Sequence, residues 1–316
     1  IPEILSNALS VSFDTNIGHD YIDNASERYD FYKKKEDKVP FDISMLNTIT
    51  KGGISRKTLN IILAGTGVGK SLAMCHFAAA ALSDGKNVLY ITLEMAEEKI
   101  AERIDANLFN IDIAEIENMP KDLFESKVNV IKKKTQGKLI VKEYPTATAH
   151  AGHFRALLDE LKLKRAFTPD IIFIDYLNIA ASSRMKGLGG SVNTYSYVKA
   201  IAEELRGLAV EFNVPVWSAT QVTRTGFGNT DVEITDTSES FGLPATADLM
   251  LALISTEKLE SMNQLMVKQL KNRYNDPTTN KRFVVGIDRA KMRLYEVEDS
   301  AQTLQNESST PINNND

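Results

Sequence analysis

The stretch Ala64-Gly-Thr-Gly-Val-Gly-Lys70-Ser71 is where residue types and spacing specify chemistry most directly. Glycine reaches left-handed backbone conformations at no steric cost. Gly65, Gly67 and Gly69 therefore let the loop, with Thr66 and Val68 between them, turn its N–H groups inward around an anion. Lys70 can then reach a β- or γ-phosphate, and the Ser71 hydroxyl can hold Mg²⁺. The usual phosphate loop begins with glycine; here that position is Ala64. A glycine turn that binds nothing is the plain alternative. Against it stands the order of elements, because the apolar run 59–63 precedes the loop and the helical run 72–82 follows it. Strand, glycine loop and helix in that order place the loop at the positive end of a helix, where phosphate binds. The expectation is a nucleoside triphosphate site, for ATP or GTP, with Mg²⁺.

Hydrolysis needs two more groups beside such a loop, a carboxylate that supports the metal and a residue that activates water. The run Ile171-Ile-Phe-Ile-Asp175 reads as a buried strand ending in the first of these. Tyr176 follows it, so no second acid is adjacent on that strand. Glu94, which follows the apolar run 88–93, is the expected base, since it would stand at the carboxyl edge of a sheet. Its other reading is a carboxylate stabilised by a helix dipole. Gln221 ends the run 214–220 and could hydrogen-bond the γ-phosphate or the attacking water and report its loss to the next loop. Lys271 and Arg273 read either as a solvated hairpin or as cations delivered to a neighbouring subunit's nucleotide, where such an arginine is worth roughly 10³–10⁵ in rate. Trp217 reads as core, and Cys75 as a small buried hydrophobe. His150 and His153 have no clustered Cys or carboxylate, so surface or capping roles suit them better than metal binding.

These groups need strands whose ends share an edge. Strand patterns fall at 59–63, 87–92, 138–141, 171–175, 214–220 and 249–254, followed by 265–270, 282–288 and 294–297. Helical patterns fall at 71–84, 97–108, 121–134, 151–165 and 197–212. Their alternation predicts an α/β fold with a mainly parallel twisted sheet, helices on both faces and an antiparallel extension from the last three strands. Residues 1–38 read as a linker with a short helix, 39–297 as one ATPase domain and 298–316 as a disordered acidic tail. The stretches 182–196 and 223–246, rich in Gly, Ser and Thr, read as long functional loops. A chain opening on Ile1-Pro-Glu rather than Met reads as a fragment lacking an upstream domain.

Composition is that of a soluble globular protein, with 43% hydrophobic and 25% charged residues over 316 positions. A single cysteine excludes a disulfide framework and suits a reducing cytoplasm. No apolar run is long enough to span a bilayer, so no membrane partner is expected. The net charge of −5 argues against a globally basic nucleic-acid binder. The charge is uneven, however: 176–202 holds Arg184, Lys186 and Lys199 and no acid, and 268–293 is dense in Lys and Arg.

Taken in order, Pro40-Phe-Asp-Ile-Ser-Met-Leu46 with Gly52-Gly53, the glycine loop, Ile91-Thr-Leu-Glu94-Met95, Ile174-Asp175-Tyr-Leu177, Gln221 and Lys271-Asn-Arg273 form a recognisable set. Over about residues 39–297 the chain resembles the RecA-like ATPase domain of DnaB-family hexameric replicative helicases, and within that family it looks most like the T-even phage members. The family tolerates Ala at the first loop position. The resemblance implies Lys70 and Ser71 on phosphate and Mg²⁺, Asp175 on the metal, Glu94 as base, Gln221 as sensor, and Lys271 and Arg273 acting in trans. It also implies a homo-hexamer moving 5′→3′ on single-stranded DNA, with primase and a loader as partners, in the cytoplasm of a phage-infected bacterium. The loops 182–196 and 223–246 would face the DNA. In the first, Arg184 and Lys186 are unopposed by acid, and Gly187, Gly189 and Gly190 allow close approach to phosphate. In the second, Arg224 is the lone cation. Two other classes share the core: a RecA-like recombinase or clock-type ATPase, and a small-molecule P-loop kinase. The kinase needs neither a Lys-x-Arg pair nor two long loops.

Overall fold

Short apolar runs without alternation bury both faces, as strands in the middle of a helix-covered parallel sheet must. The computed structural model describes residues 20–34, 36–184, 194–221 and 242–298. It contains β1 (Leu59–Ala64), β2 (Val88–Thr92), β3 (Leu139–Glu143), β4 (Ile171–Asp175) and β5 (Val216–Gln221), followed by β6 (Leu249–Ile254), β7 (Gln264–Asn272), β8 (Arg282–Asp288) and β9 (Arg293–Tyr295). They form one sheet in the order β3-β2-β4-β5-β1-β6-β7-β8-β9. Pairing is parallel from β3 through β6 and antiparallel from there to β9. Every residue of β1, β2, β4 and β6 is buried, whereas β3 at the edge is only partly covered.

The helices are α1 (Ala25–Lys33), α2 (Ser44–Thr50), α3 (Lys70–Ser83), α4 (Glu97–Phe109), α5 (Ile113–Ile116), α6 (Lys121–Lys134), α7 (Ala151–Arg165), α8 (Thr194–Glu211), α9 (Gly242–Thr246) and α10 (Glu257–Ser261). The chain divides into two units at Asp37 and Lys38. In the first, α1 has no buried residue and exposes Tyr29, Phe31 and Tyr32.

The second unit holds two cores, one on each face of the sheet. Alternating side chains divide each strand between them. Ile62, Tyr90, Phe173 and Trp217 pack with Leu46 of α2, Phe77 of α3 and Ile104 of α4. Ile61, Leu89, Ile172 and Val216 pack with Phe154 and Leu158 of α7 and Leu205 of α8. Trp217 is fully buried against Phe41 and Phe77, as expected for a core residue. Cys75 is also fully buried.

Boundaries differ in places. β5 starts at Val216, not at 214, because Pro215 has no N–H to give a ladder. β7 runs longer than the expected 265–270, and α8 begins before the expected 197. The end of the expected loop 223–246 is helical, forming α9. A one-turn helix, α10, capped by the Thr256 hydroxyl, connects β6 to β7. Most of the two expected loops and residues 299–316 lie outside the described residues. Among the described residues no helix is long and apolar enough to cross a membrane.

Candidate nucleotide site

Three strand ends and one loop meet at the carboxyl edge of the sheet. β5 lies between β4 and β1, and β4 between β2 and β5, so Gln221 falls beside Ala64 in register and Asp175 beside Thr92. From Ala64 the chain enters the glycine loop, with φ at +77° for Gly67 and +134° for Gly69, conformations that a side chain would strain. Gly69 is the N-cap of α3 and offers it no side-chain acceptor. The first N–H groups of α3 are thus left for an external anion, at the positive end of the helix dipole.

Lys70 Nζ lies 3.4 Å from both the Ala64 and Gly65 carbonyl oxygens, folded back over its own loop. Burial lowers its pKa, while Glu94 and Asp175 pull it back up. A partly desolvated ammonium of this kind gains from an incoming phosphate. Glu94 stands on a turn fixed at both sides. The Thr92 hydroxyl donates to Met95 O and accepts from Met95 N–H, and Leu93 N–H donates to Asp175 O at 2.8 Å. Gln221 Nε2 reaches the Tyr176 hydroxyl at 3.4 Å. A cavity of about 280 Å³ is lined by Thr66, Gly67, Gly69, Lys70, Ser71, Glu94 and Gln221 together.

Asp175 does not itself line this cavity; it ends β4 close to Lys70 and Ser71 and is 1% exposed. Burial raises its pKa; hydrogen bonds from the Tyr90 and Ser71 hydroxyls oppose that rise. Ser71 is therefore close, yet among the described residues Oδ1 has no partner in regular hydrogen-bond geometry. A buried carboxylate oxygen left open beside a serine hydroxyl suits a hard, oxygen-seeking cation such as Mg²⁺. Among the described residues no cluster of three or more His, Cys, Asp or Glu offers another metal site.

Two lining residues escaped the sequence reading. Arg103 comes from α4, lines the cavity, and its charge pulls the Asp175 carboxyl pKa down. Arg289, beyond β8, donates to the Gly67 and Val68 carbonyl oxygens at 3.2 and 3.3 Å. Neither belongs to a spacing pattern. Both reach the loop only because α4 and the end of β8 fold against it.

Lys271 and Arg273 are absent from this pocket. Arg273 donates to Asp248 Oδ1 at 2.8 Å, and Lys271 to the Pro244 and Ala245 carbonyl oxygens. Asp248 also accepts from Arg206 and from the Leu59 N–H. Leu59 opens β1, and Leu249 pairs with Asn272, so the two cations sit at the opposite edge of the sheet. Six strand residues at about 3.3 Å each separate that edge from the glycine loop, roughly 20 Å.

The expectation that Arg184 is unopposed by acid needs correction. Its guanidinium pairs with Glu203 at 2.9 Å and Glu204 at 3.6 Å, acids that begin just beyond the stretch 176–202 and return through α8. Burial alone would raise the Glu204 carboxyl, but hydrogen bonds from Ser182 and Ser183 outweigh it and hold it below its usual range. Lys186, Gly189 and Arg224 lie outside the described residues. His150 caps α7, its Nδ1 accepting from the Gly152 N–H at 3.0 Å.

Comparison with protein-family models matches residues 39–290 to the DnaB-like helicase C-terminal domain. The chain belongs to this family. A DnaB-like replicative helicase of Enterobacteria phage T4 is 48% identical over 311 residues, covering 97% of this chain and 65% of its own length. Replicative DNA helicase DnaB of Helicobacter pylori is 27% identical over 219 residues, covering 68% of this chain and 43% of its own length. The chain thus spans under two thirds of these relatives. Among solved structures, the ATPase domain of G40P superposes with a TM-score of 0.70 at 18% identity, covering 86% of this chain and 96% of that one. A DnaB-like replicative helicase, described with its interactions with primase, superposes with a TM-score of 0.72 at 17% identity, covering 94% of this chain and 71% of its own. The mixed sheet, parallel with antiparallel last strands, is therefore the DnaB-type ATPase fold.

Proposed function

We propose that this chain is the motor domain of a hexameric replicative helicase, hydrolysing ATP between subunits to move 5′→3′ on single-stranded DNA. The observation that carries this reading is the division of the catalytic set. Lys70, Ser71, Glu94 and Gln221 line one cavity, while Lys271 and Arg273 stand at the far edge of the same sheet. In a ring, one subunit's far edge would face its neighbour's cavity, so Arg273 would leave Asp248 or extend past it toward the adjacent γ-phosphate. A small-molecule kinase has no use for such a pair.

Each residue then has one task. The uncapped N–H groups of α3 and Lys70 bind the phosphates. Glu94, exposed on its fixed turn, takes the proton of the attacking water. Gln221 orients that water or the γ-phosphate, and its contact with Tyr176 ties it to the segment after β4. Ser71 and Asp175 would hold Mg²⁺, which when bound neutralises charge on the β- and γ-oxygens. DNA would lie against the loops bearing Lys186, Gly189 and Arg224, with Arg184 joining only on leaving Glu203 and Glu204. Primase and a loader are the expected partners, in the cytoplasm of an infected bacterium. The structural relative described with primase supports the first of these.

Electron microscopy of the chain with ATP and single-stranded DNA tests the assembly. Closed six-membered rings or short spirals are expected. Long continuous filaments would favour a recombinase.

A further inference from the structure

Tyr90 is a polar-tipped residue in the otherwise aliphatic front half of β2, and it is fully buried. Its ring stacks on Phe173 of β4, with centroids 5.8 Å apart and planes 15° from parallel. In register Tyr90 opposes Phe173, and Asp175 is two residues further along β4 on the same face. This diagonal is within reach of a long side chain. The Tyr90 hydroxyl donates to Asp175 Oδ2 at 2.9 Å and lies 3.9 Å from Cys75 Sγ of α3, which can donate to it.

The two carboxylate oxygens of Asp175 are therefore unequal. Oδ2 accepts from the Tyr90 hydroxyl; Oδ1 is buried and, among the described residues, has no partner in regular hydrogen-bond geometry, while the Ser71 hydroxyl is close to the carboxylate. A carboxylate without the Tyr90 hydroxyl could turn about χ2 and would leave two buried oxygens unsatisfied, a costly arrangement. Groups that orient a metal-supporting residue in this way affect metal affinity without touching the metal.

We propose that Tyr90 is the positioning residue of the divalent-cation site: by occupying Asp175 Oδ2 it fixes the carboxylate and leaves Oδ1 for the cation. This rests on Asp175 and Ser71 being the metal-supporting pair. A merely structural tyrosine would satisfy its own hydroxyl in the core and leave metal affinity alone.

The test separates metal from nucleotide. Mn²⁺ is titrated into the full chain with limiting ADP and followed by electron paramagnetic resonance, while ADP affinity is measured in parallel in EDTA. Tyr90→Phe keeps the ring and removes one oxygen; Tyr90→Met fills the space without a hydroxyl, so the outcome does not hang on one variant folding. Both should weaken Mn²⁺ binding roughly 10–100-fold and leave metal-free ADP affinity unchanged. Asp175→Asn serves as reference and should weaken Mn²⁺ at least as much. Unchanged Mn²⁺ affinity in both Tyr90 variants, with Asp175→Asn weakened, would overturn the role of Tyr90 alone. Equal losses of ADP affinity with and without metal would reduce Tyr90 to a packing residue. An unaffected Asp175→Asn would remove the metal-site reading itself.

Discussion

At the residue scale the site is a set of polar groups left deliberately incomplete by their surroundings. Among the described residues, Lys70 bonds the Ala64 and Gly65 carbonyls, the Gly69 N-cap offers the first turn of α3 no side-chain acceptor, and Asp175 Oδ1 is buried without a hydrogen-bond partner. Each lacks what a phosphate or a cation would supply. Glu94 differs, being exposed and held by the turn around it rather than by a charge. Removing only its basicity should therefore spare binding. Glu94→Gln is expected to lower the hydrolysis rate about 10²–10⁴-fold with nucleotide affinity retained, as phosphate release and fluorescent-nucleotide titration would show. A parallel loss of affinity would make Glu94 a binding group instead. The strand–loop–helix order at the glycine loop, and the positions of Asp175 and Glu94 at strand ends, were legible in the sequence because each is a local pattern. Tyr90, Arg103 and Arg289 were not, because their roles come from contacts across strands and helices. Arg184 shows the same limit from the other side. Its local stretch holds no acid, yet a helix brings Glu203 and Glu204 back to it.

At the element scale the parallel strands set the edge and the helices seal it. The strand runs were legible because burial on both faces removes polar residues from them; their exact ends depended on Pro215 and on hydrogen bonds to neighbouring strands. α4 begins three residues after Glu94, so its stability bears on the proposed base. On α4, burial, with Glu102 alongside, pushes the Asp105 carboxyl up to about 6 from 3.8. The folded chain then holds this proton more tightly than the unfolded chain. Stability from Asp105 is present at low pH and lost as pH rises through this range. Asp105→Asn should raise the melting temperature by a few degrees at neutral pH and change it little near pH 3, below the unfolded value. Calorimetry at both values checks this, and a loss of stability at neutral pH would show that the carboxylate has a partner the substitution breaks.

At the scale of the whole molecule, the sheet itself separates the two halves of the proposed catalytic set. The order β5-β1-β6-β7 places the glycine loop after β1 and the Lys271–Arg273 pair next to where β1 begins. One chain cannot fold its own pair onto its own loop without dismantling strands that are fully buried. If the pair acts on a nucleotide, it acts on another copy's loop. Subunits carrying Arg273→Ala keep an intact loop, and subunits carrying Lys70→Ala keep an intact pair; each alone should lack DNA-stimulated hydrolysis. The most direct measurement is that activity after mixing the two. Hydrolysis should reappear at interfaces where the first supplies the loop and the second the arginine, and mixtures that remain inactive at every ratio, although mixed rings form, would contradict a shared site.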